Sequence, residues 1–524
     1  MFRIKNIIIA VLFGCASIGR AADVRPVLGN PFGPHGVGLK VVQQFDRTRS
    51  FLGPRDLTGQ PVRGERSRPI QTWIWYPADI GQESMTYVDY RRLALAQFQM
   101  ELSPDELAEA AQQLDDPPIR PDLGRGATMR ENRRAMRAGL EAKPAAGRFP
   151  VVVYAPSLSA AAMENADLCE YLASWGYLVL ASPSLGSRAQ RMTLDPEGVE
   201  SQVADLAFLS GFARSLPNAA PDQLAVLGFS WGALANVLAA AKDSRISALI
   251  CLDGAVPTYP RFLEEAKYAT PDRIRIPILF FAGRSDSGGD PAMGKADLIE
   301  TFLDGLKFSD STLVNMHGMQ HWHFSSYYLR FMPDSEFRDR PCAEVSRSYD
   351  WMARYSLEFL NANLKGDARA GTFMKNAPGT NGVPDHLLTV RPKRAHGFDL
   401  QALADETGRR GFQHLAEAYR DGRAGDAGCE LGESQLGEWG SGLLNLGRTD
   451  EAIAIFGFLV QLDPSSAHAH SQLGQAFHRK GDTGSARASY ARALELDPLD
   501  RIALGGLEQI DGPSGSPRGA AFIP

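Results

Sequence analysis

From Val151 to about Leu364, short and near-continuously apolar runs alternate with stretches whose apolar residues recur at helical spacing. The runs are Val151–Ala155, Tyr177–Ser182, Leu224–Phe229, Ile246–Leu252, Ile276–Ala282 and Thr312–Met316. Runs of that kind are expected of parallel strands covered on both faces. Between them, Val199–Leu216 and Trp231–Lys242 predict helices. The alternation predicts an α/β domain with a doubly wound, mostly parallel sheet. Gly38–Phe45 and Gln71–Tyr76 read as further strands at its N-terminal edge.

The pattern breaks between about 83 and 147. There Ser103-Pro104-Asp105-Glu106 forms a capping box with proline at the first helical position, predicting a helix to about Leu114. This stretch reads as a helical insertion, either a lid over a site or a surface decoration. After Gly366 the composition changes, and Thr372–Arg394, with its Gly and Pro, reads as an extended linker. From Gly432 to about Ile510 the chain repeats with a period of 34 residues: Gly440/Gly474, Ala452/Ala486, Leu462/Leu496, Asp463/Asp497 and Pro464/Pro498. Leu473-Gly474, Phe477, Ala486, Tyr490, Ala493 and Pro498 resemble the tetratricopeptide repeat, and Trp439-Gly440, Leu443, Ala452, Phe456 and Pro464 give a weaker first copy. Small Gly and Ala let paired helices approach while Leu, Phe and Tyr fill the seam. Two copies are fewer than the three usually needed, so Ile502–Ile510 is expected to cap them and Gly411–Tyr419 to add a preceding helix.

Composition narrows the class. The 524 residues carry 55 Lys+Arg against 61 Asp+Glu, a net charge of −6, with 44% hydrophobic and 22% charged residues. That balance is ordinary for globular domains and gives no electrostatic reason to expect a nucleic-acid partner. Arg3 and Lys5, the apolar stretch Asn6–Ile18 and small residues at Gly19, Ala21 and Ala22 predict a signal peptide over 1–21, hence a periplasmic or secreted protein. Lipid anchoring at Cys15 is the lesser alternative, because Leu12-Phe13-Gly14-Cys15 resembles a lipobox. No other apolar run approaches the length of a stable membrane span. Cys169 and Cys251 read as buried small hydrophobes, and Cys342 and Cys429 could pair in an oxidising compartment.

The chemistry concentrates at Gly228-Phe229-Ser230-Trp231-Gly232, a GxSxG at a strand-to-helix junction. That context is the nucleophile elbow: Ser230 projects above the carboxyl edge of the sheet, and the Trp231 amide faces a developing oxyanion. A serine hydroxyl needs a base, expected later in the chain. Met316–Phe324 offers His317, His321 and His323, of which His321, after the glycine and before an aromatic, is preferred. A metal pair at His321 and His323 lacks a nearby third ligand. Two acids end adjacent strands, Asp253 after Ala248–Leu252 and Asp286 after Gly283-Arg284-Ser285. Either could orient the imidazole; Asp253 is narrowly preferred, with Asp286 the alternative.

The chain from roughly Gln71 to Asp367 resembles an α/β-hydrolase of the dienelactone hydrolase and platelet-activating-factor acetylhydrolase-like group. Trp75-Tyr76-Pro77-Ala78 resembles an early strand of that group, and Phe359–Asp367 its final helix. Phe149–Ser159 resembles the strand and loop that supply a second oxyanion amide, which the resemblance assigns to Leu158. Leu252-Asp253 is similar to the acetylhydrolase acid, and Gly283–Asp286 to the more general pattern. Ala155-Pro156-Ser157-Leu158-Ser159 departs from the usual His-Gly pair, and the serine separates this chain from the cysteine-dependent dienelactone hydrolases. The expected organisation is a signal peptide at 1–21, a hydrolase domain at 22–366 with its insertion at about 83–147, a linker with a helix at 367–431, tetratricopeptide repeats at 432–511 and a disordered tail at 512–524. The expected activity is hydrolysis of a small-molecule carboxylic ester without metal or organic cofactor, with a protein or peptide partner open to the repeats. A serine peptidase or acyltransferase would carry the same residues, and a catalytically dead scaffold with a repeat-based binding surface is the reading of another class.

Overall fold

In a computed structural model, the structure describes residues 27–51, 58, 66–81, 83–97, 103–118, 123–254, 262, 265–284, 302–337, 340–425 and 431–512. The expected signal peptide, Cys15, Asp286, Cys429 and all but the first residue of the tail lie outside them. Chain contacts divide the protein into two units, meeting at Arg394/Ala395.

The first unit is built on a ten-stranded sheet among the described residues. Its strands are β1 (Gly36–Phe51), β2 (Arg66–Ala78), β3 (Ala138–Leu140), β4 (Phe149–Ala155), β5 (Leu178–Ala181), β6 (Ala219–Phe229), β7 (Ile246–Leu252), β8 (Ile278–Gly283), β9 (Ser311–Met316) and β10 (Leu388–Lys393). They lie in the order β10-β9-β8-β7-β6-β4-β5-β2-β1-β3. The run from β9 to β5 is parallel, while β10 joins β9 and β2 joins both β5 and β1 antiparallel. The apolar runs became strands because both faces are covered. On β4, Val152 and Tyr154 face one core with Tyr171 and Tyr349, whereas Val151, Val153 and Ala155 face a second with Val199 and Leu234. Each fully buried valine contributes about 1.5–3 kcal/mol, so no residue of this strand tolerates a polar replacement cheaply.

Two segments differ from the sequence reading. Thr372–Arg394, expected as an extended linker, begins within the helix Ala368–Lys375 and ends in β10, an edge strand of the sheet. Its outward face is half polar and Pro392 sits within it, which is permissible only at an edge and masks the strand signal. The insertion is not all helix: after the helices Tyr87–Leu95, Pro104–Gln112 and Arg125–Asn132 it closes on β3, which pairs parallel with β1.

Strand order reverses at β4, whose successor β5 lies on one side and β6 on the other. Loops leaving β4 and β6 therefore diverge and leave a crevice at the carboxyl edge, where ligands bind in open sheets of this kind.

The second unit is helical: Leu400–Arg410, Leu415–Gly425, Glu433–Asn445, Thr449–Leu462, Ala467–Lys480, Thr483–Leu496 and Arg501–Asp511. The repeat glycines mark close approaches, since a Cβ on Gly440 would lie 2.6 Å from Phe456 and one on Gly474 2.6 Å from Tyr490. Two repeats do not stand alone here. Tyr419 of the preceding helix pair packs edge-on against Phe458 at 5.1 Å, and the last helix covers Tyr490 through Gly506 and Ala503.

Candidate active site

Ser230 occupies the junction between β6 and the helix Trp231–Lys242. Its backbone has φ 55 and ψ −116, a conformation that costs a non-glycine residue about 1–3 kcal/mol. Packing on both sides imposes it. A Cβ on Gly228 would lie 2.6 Å from the Asn236 amide, and one on Gly232 would lie 2.1 Å from the Ala155 carbonyl oxygen and 2.5 Å from that of Pro156. The turn is thus wedged between its own helix and the loop after β4, and the Ser230 amide donates to the Leu252 carbonyl at 3.0 Å.

His321 begins a short 3-10 turn, His321–Phe324, after β9. Its Nε2 lies 2.9 Å from Ser230 Oγ, and its Nδ1 lies 2.5 Å from Asp253 Oδ2. Asp253 follows β7 directly, with φ 42, and its Oδ1 accepts the Gly283 amide at 2.7 Å. Serine, imidazole and carboxylate thus form one hydrogen-bonded line along the carboxyl ends of β6, β9 and β7. Phe229 backs the imidazole at 4.9 Å between ring centroids. The line remains accessible, with the His321 and Asp253 side chains 16% and 18% exposed.

The other two histidines are elsewhere. His317 lies in the turn after β9, where its amide donates to the Leu387 carbonyl. His323 is buried, stacks on Phe337 at 5.3 Å and accepts the Gln320 amide on Nδ1 at 3.0 Å. Burial, with Arg284 nearby, pushes its pKa down to about 4, so it packs as a neutral ring. Asp286 falls outside the described residues; among the described residues, Asp253 is the carboxylate hydrogen-bonded to the imidazole. Among the described residues, no group of three His, Cys, Asp or Glu side chains is arranged to hold a metal ion, and no helix is long and apolar enough to cross a membrane.

The loop after β4 runs over the start of the serine helix. Gln202 holds the Pro156 carbonyl at 2.8 Å, Ser159 turns through φ 58, and Ser159 Oγ accepts the Met192 amide at 2.9 Å. The Ser157 amide donates to Glu164 at 2.8 Å, leaving Leu158 as the next amide along the loop. Trp322, 48% exposed, extends the apolar surface beside His321 and meets Tyr328 at 5.1 Å.

Sequence reasoning missed a polar lattice behind this site. Glu164 and Asn165 are buried in the otherwise small and apolar Ala160–Ala166, and that contrast was the available signal. Arg330 is also buried, paired with Asp167 at 2.5 Å and with Glu131 at 3.1 Å. Since Glu131 belongs to the insertion, that segment is tied into the core beneath the histidine loop and is more than surface decoration.

Residues 136–305 match the dienelactone hydrolase family. Residues 438–501 match the tetratricopeptide repeat. The chain thus carries a segment similar to the dienelactone hydrolase family, followed by one similar to tetratricopeptide repeats. A protein of Synechocystis sp. named as a carboxymethylenebutenolidase is 23% identical over 171 residues, spanning 30% of this chain and 70% of that protein. A structure of a ferulic acid esterase from Streptomyces cinnamoneus overlays with a TM-score of 0.45 and 18% identity, covering 65% of this chain and 93% of that one. The dienelactone hydrolase match includes Ser230 and Asp253 and ends before His321.

Proposed function

We propose that the protein is an exported serine hydrolase that cleaves carboxylic esters through an acyl-enzyme on Ser230. One observation carries the reading: the continuous hydrogen-bonded line Ser230–His321–Asp253 at a strained strand-to-helix turn. His321 Nε2 takes the serine proton as Oγ attacks the ester carbonyl, and Asp253 holds the imidazole with Nδ1–H toward itself. The carbonyl oxygen becomes an oxyanion held by the amides of Trp231 and Leu158. Its collapse breaks the bond to the alkoxy oxygen, to which imidazolium returns the proton as the alcohol leaves. Water then attacks the acyl-enzyme, again deprotonated by His321, and the acid leaves with Ser230 restored.

The apolar flank of Leu158 and Trp322 supports a small-molecule ester with apolar substituents at the site mouth. Export rests on the basic, then apolar, then small-residue order of the first 21 positions. The repeats support a protein or peptide partner as a separate binding function.

The test is hydrolysis of p-nitrophenyl esters from acetate to palmitate by the purified protein, with Ser230→Ala as control and a fluorophosphonate label on Ser230. Turnover lost in the variant supports the reading, and the favoured chain length measures the acyl site. No turnover together with no labelling refutes it.

A further inference from the structure

Behind the reacting line lies a second buried carboxylate that the mechanism above does not use. Glu164 is 4% exposed, yet its side chain accepts three hydrogen bonds. Ser157 donates its amide at 2.8 Å and also its hydroxyl, and Tyr154 of β4 donates its phenol at 3.0 Å. Both Ser157 donors sit one residue before Leu158.

The backbone of the same residue grips the histidine segment. The Glu164 carbonyl accepts the Tyr327 amide at 3.0 Å and the hydroxyls of Ser325 and Ser326 at 3.2 and 3.3 Å. Asn165 extends the grip. Its Oδ1 accepts the Ser326 amide at 2.7 Å and the Tyr349 phenol at 3.0 Å, and its Nδ2 donates to Tyr154 and to the Phe324 carbonyl. One short segment therefore fastens the loop after β4 on one side and the segment following His321 on the other.

Resting on the ester-hydrolase reading, we propose that Glu164 is a positioning residue for the reaction. It engages the Ser157 amide and hydroxyl so that the Leu158 amide is the one presented to the oxyanion. The role follows from the three donors gathered on the carboxylate, which oppose the upward push that burial gives its pKa. An oxyanion donor contributes only when the transition state forms, so misplacing one lowers kcat and spares substrate binding.

The experiment compares the full-length protein with Glu164→Ala and Glu164→Gln on a p-nitrophenyl ester, each rate divided by the sites that a fluorophosphonate labels. Glu164→Ala frees the loop; it is expected to lower kcat per labelled site about 10- to 100-fold with KM changed less than about threefold. Glu164→Gln keeps an acceptor for the Ser157 amide, so its kcat per labelled site is expected to recover to between the other two. A purely structural role would lower the melting temperature and leave kcat per labelled site in place. That result in both variants overturns the proposal, as does a loss confined to KM. If Glu164→Ala does not fold, kcat per labelled site of Glu164→Gln decides, and a value equal to that of the unaltered protein overturns the proposal. Absence of labelling in the unaltered protein refutes the ester-hydrolase reading itself, whereas normal labelling with unaltered variants refutes only the role of Glu164.

Discussion

Replacing Asp253 by Asn tests the reacting line at its most informative point. The Gly283 amide donates to Oδ1 of Asp253 at 2.7 Å, so in the variant the side-chain oxygen must take that side, since an NH2 there would face another donor. The NH2 then points at His321 Nδ1 across the 2.5 Å contact. Two donors cannot share it, so the imidazole adopts the tautomer whose Nδ1 bears a lone pair. The proton moves to Nε2, which faces Ser230 Oγ at 2.9 Å and can no longer accept the serine proton. A wrong tautomer of this kind costs about 10⁴-fold in kcat, or roughly 5 kcal/mol in the barrier. The assay is ester hydrolysis per folded molecule, with circular dichroism to show that the variant folds. A loss under about tenfold would refute the reasoning and move the acid elsewhere. Asp286→Asn is the matched control, because a large loss there would name the other carboxylate.

Further outcomes follow from the same structure. Burial, reinforced by Asp167, pushes the Glu170 carboxyl up to about 7 from an ordinary 4.5, against hydrogen bonds from Tyr90 and the amides of Arg137 and Ala138. The folded state therefore holds this proton more tightly than the unfolded chain. Its stabilising effect is complete below about pH 4.5, fades as pH rises to about 7, and amounts to about 3 kcal/mol, so urea unfolding of Glu170→Gln should escape that decline. Parallel stability profiles for the two proteins would contradict the shift. Gly232→Ala forces a methyl into backbone oxygens 2.1 and 2.5 Å away, and is expected to abolish ester hydrolysis and lower stability by about 1–3 kcal/mol. An active, equally stable variant would show that the loop after β4 does not press on the serine turn. In the helical unit, Gly474→Ala drives a methyl to within 2.6 Å of the Tyr490 ring and should lower the melting temperature measured by circular dichroism; an unchanged melt would contradict the tight seam.

Much of this was legible in the sequence, for local reasons. Strands covered on both faces leave continuous apolar runs, and the runs at β4, β6 and β7 were readable within a few residues of their ends. The elbow was legible because its GxSxG spacing is local: Gly228 answers Asn236 and Gly232 within a few residues of Ser230, although Gly232 answers the distant loop after β4. The 34-residue spacing of glycine against Phe456 and Tyr490 likewise records a contact between neighbouring helices. β10 was not legible, because an edge strand needs only one covered face and loses the continuous apolar signature.

Choices between like residues belonged to the tertiary structure. His317, His321 and His323 share one short segment, whose glycine and aromatic neighbours favour His321 but do not bring its ring to Ser230. The turn after β9 does so, burying His323 against Phe337 and sending His321 outward. Asp253 reaches the imidazole because β7 lies beside β6 and its last turn passes through φ 42, a matter of strand order and backbone path. The lattice of Glu164, Asn165 and Arg330 depends on partners more than 150 residues away in the chain, such as Ser326 and Tyr349. Sequence records each side chain's own chemistry and its near neighbours; which distant donor desolvates or steadies it exists only once the chain has closed on itself.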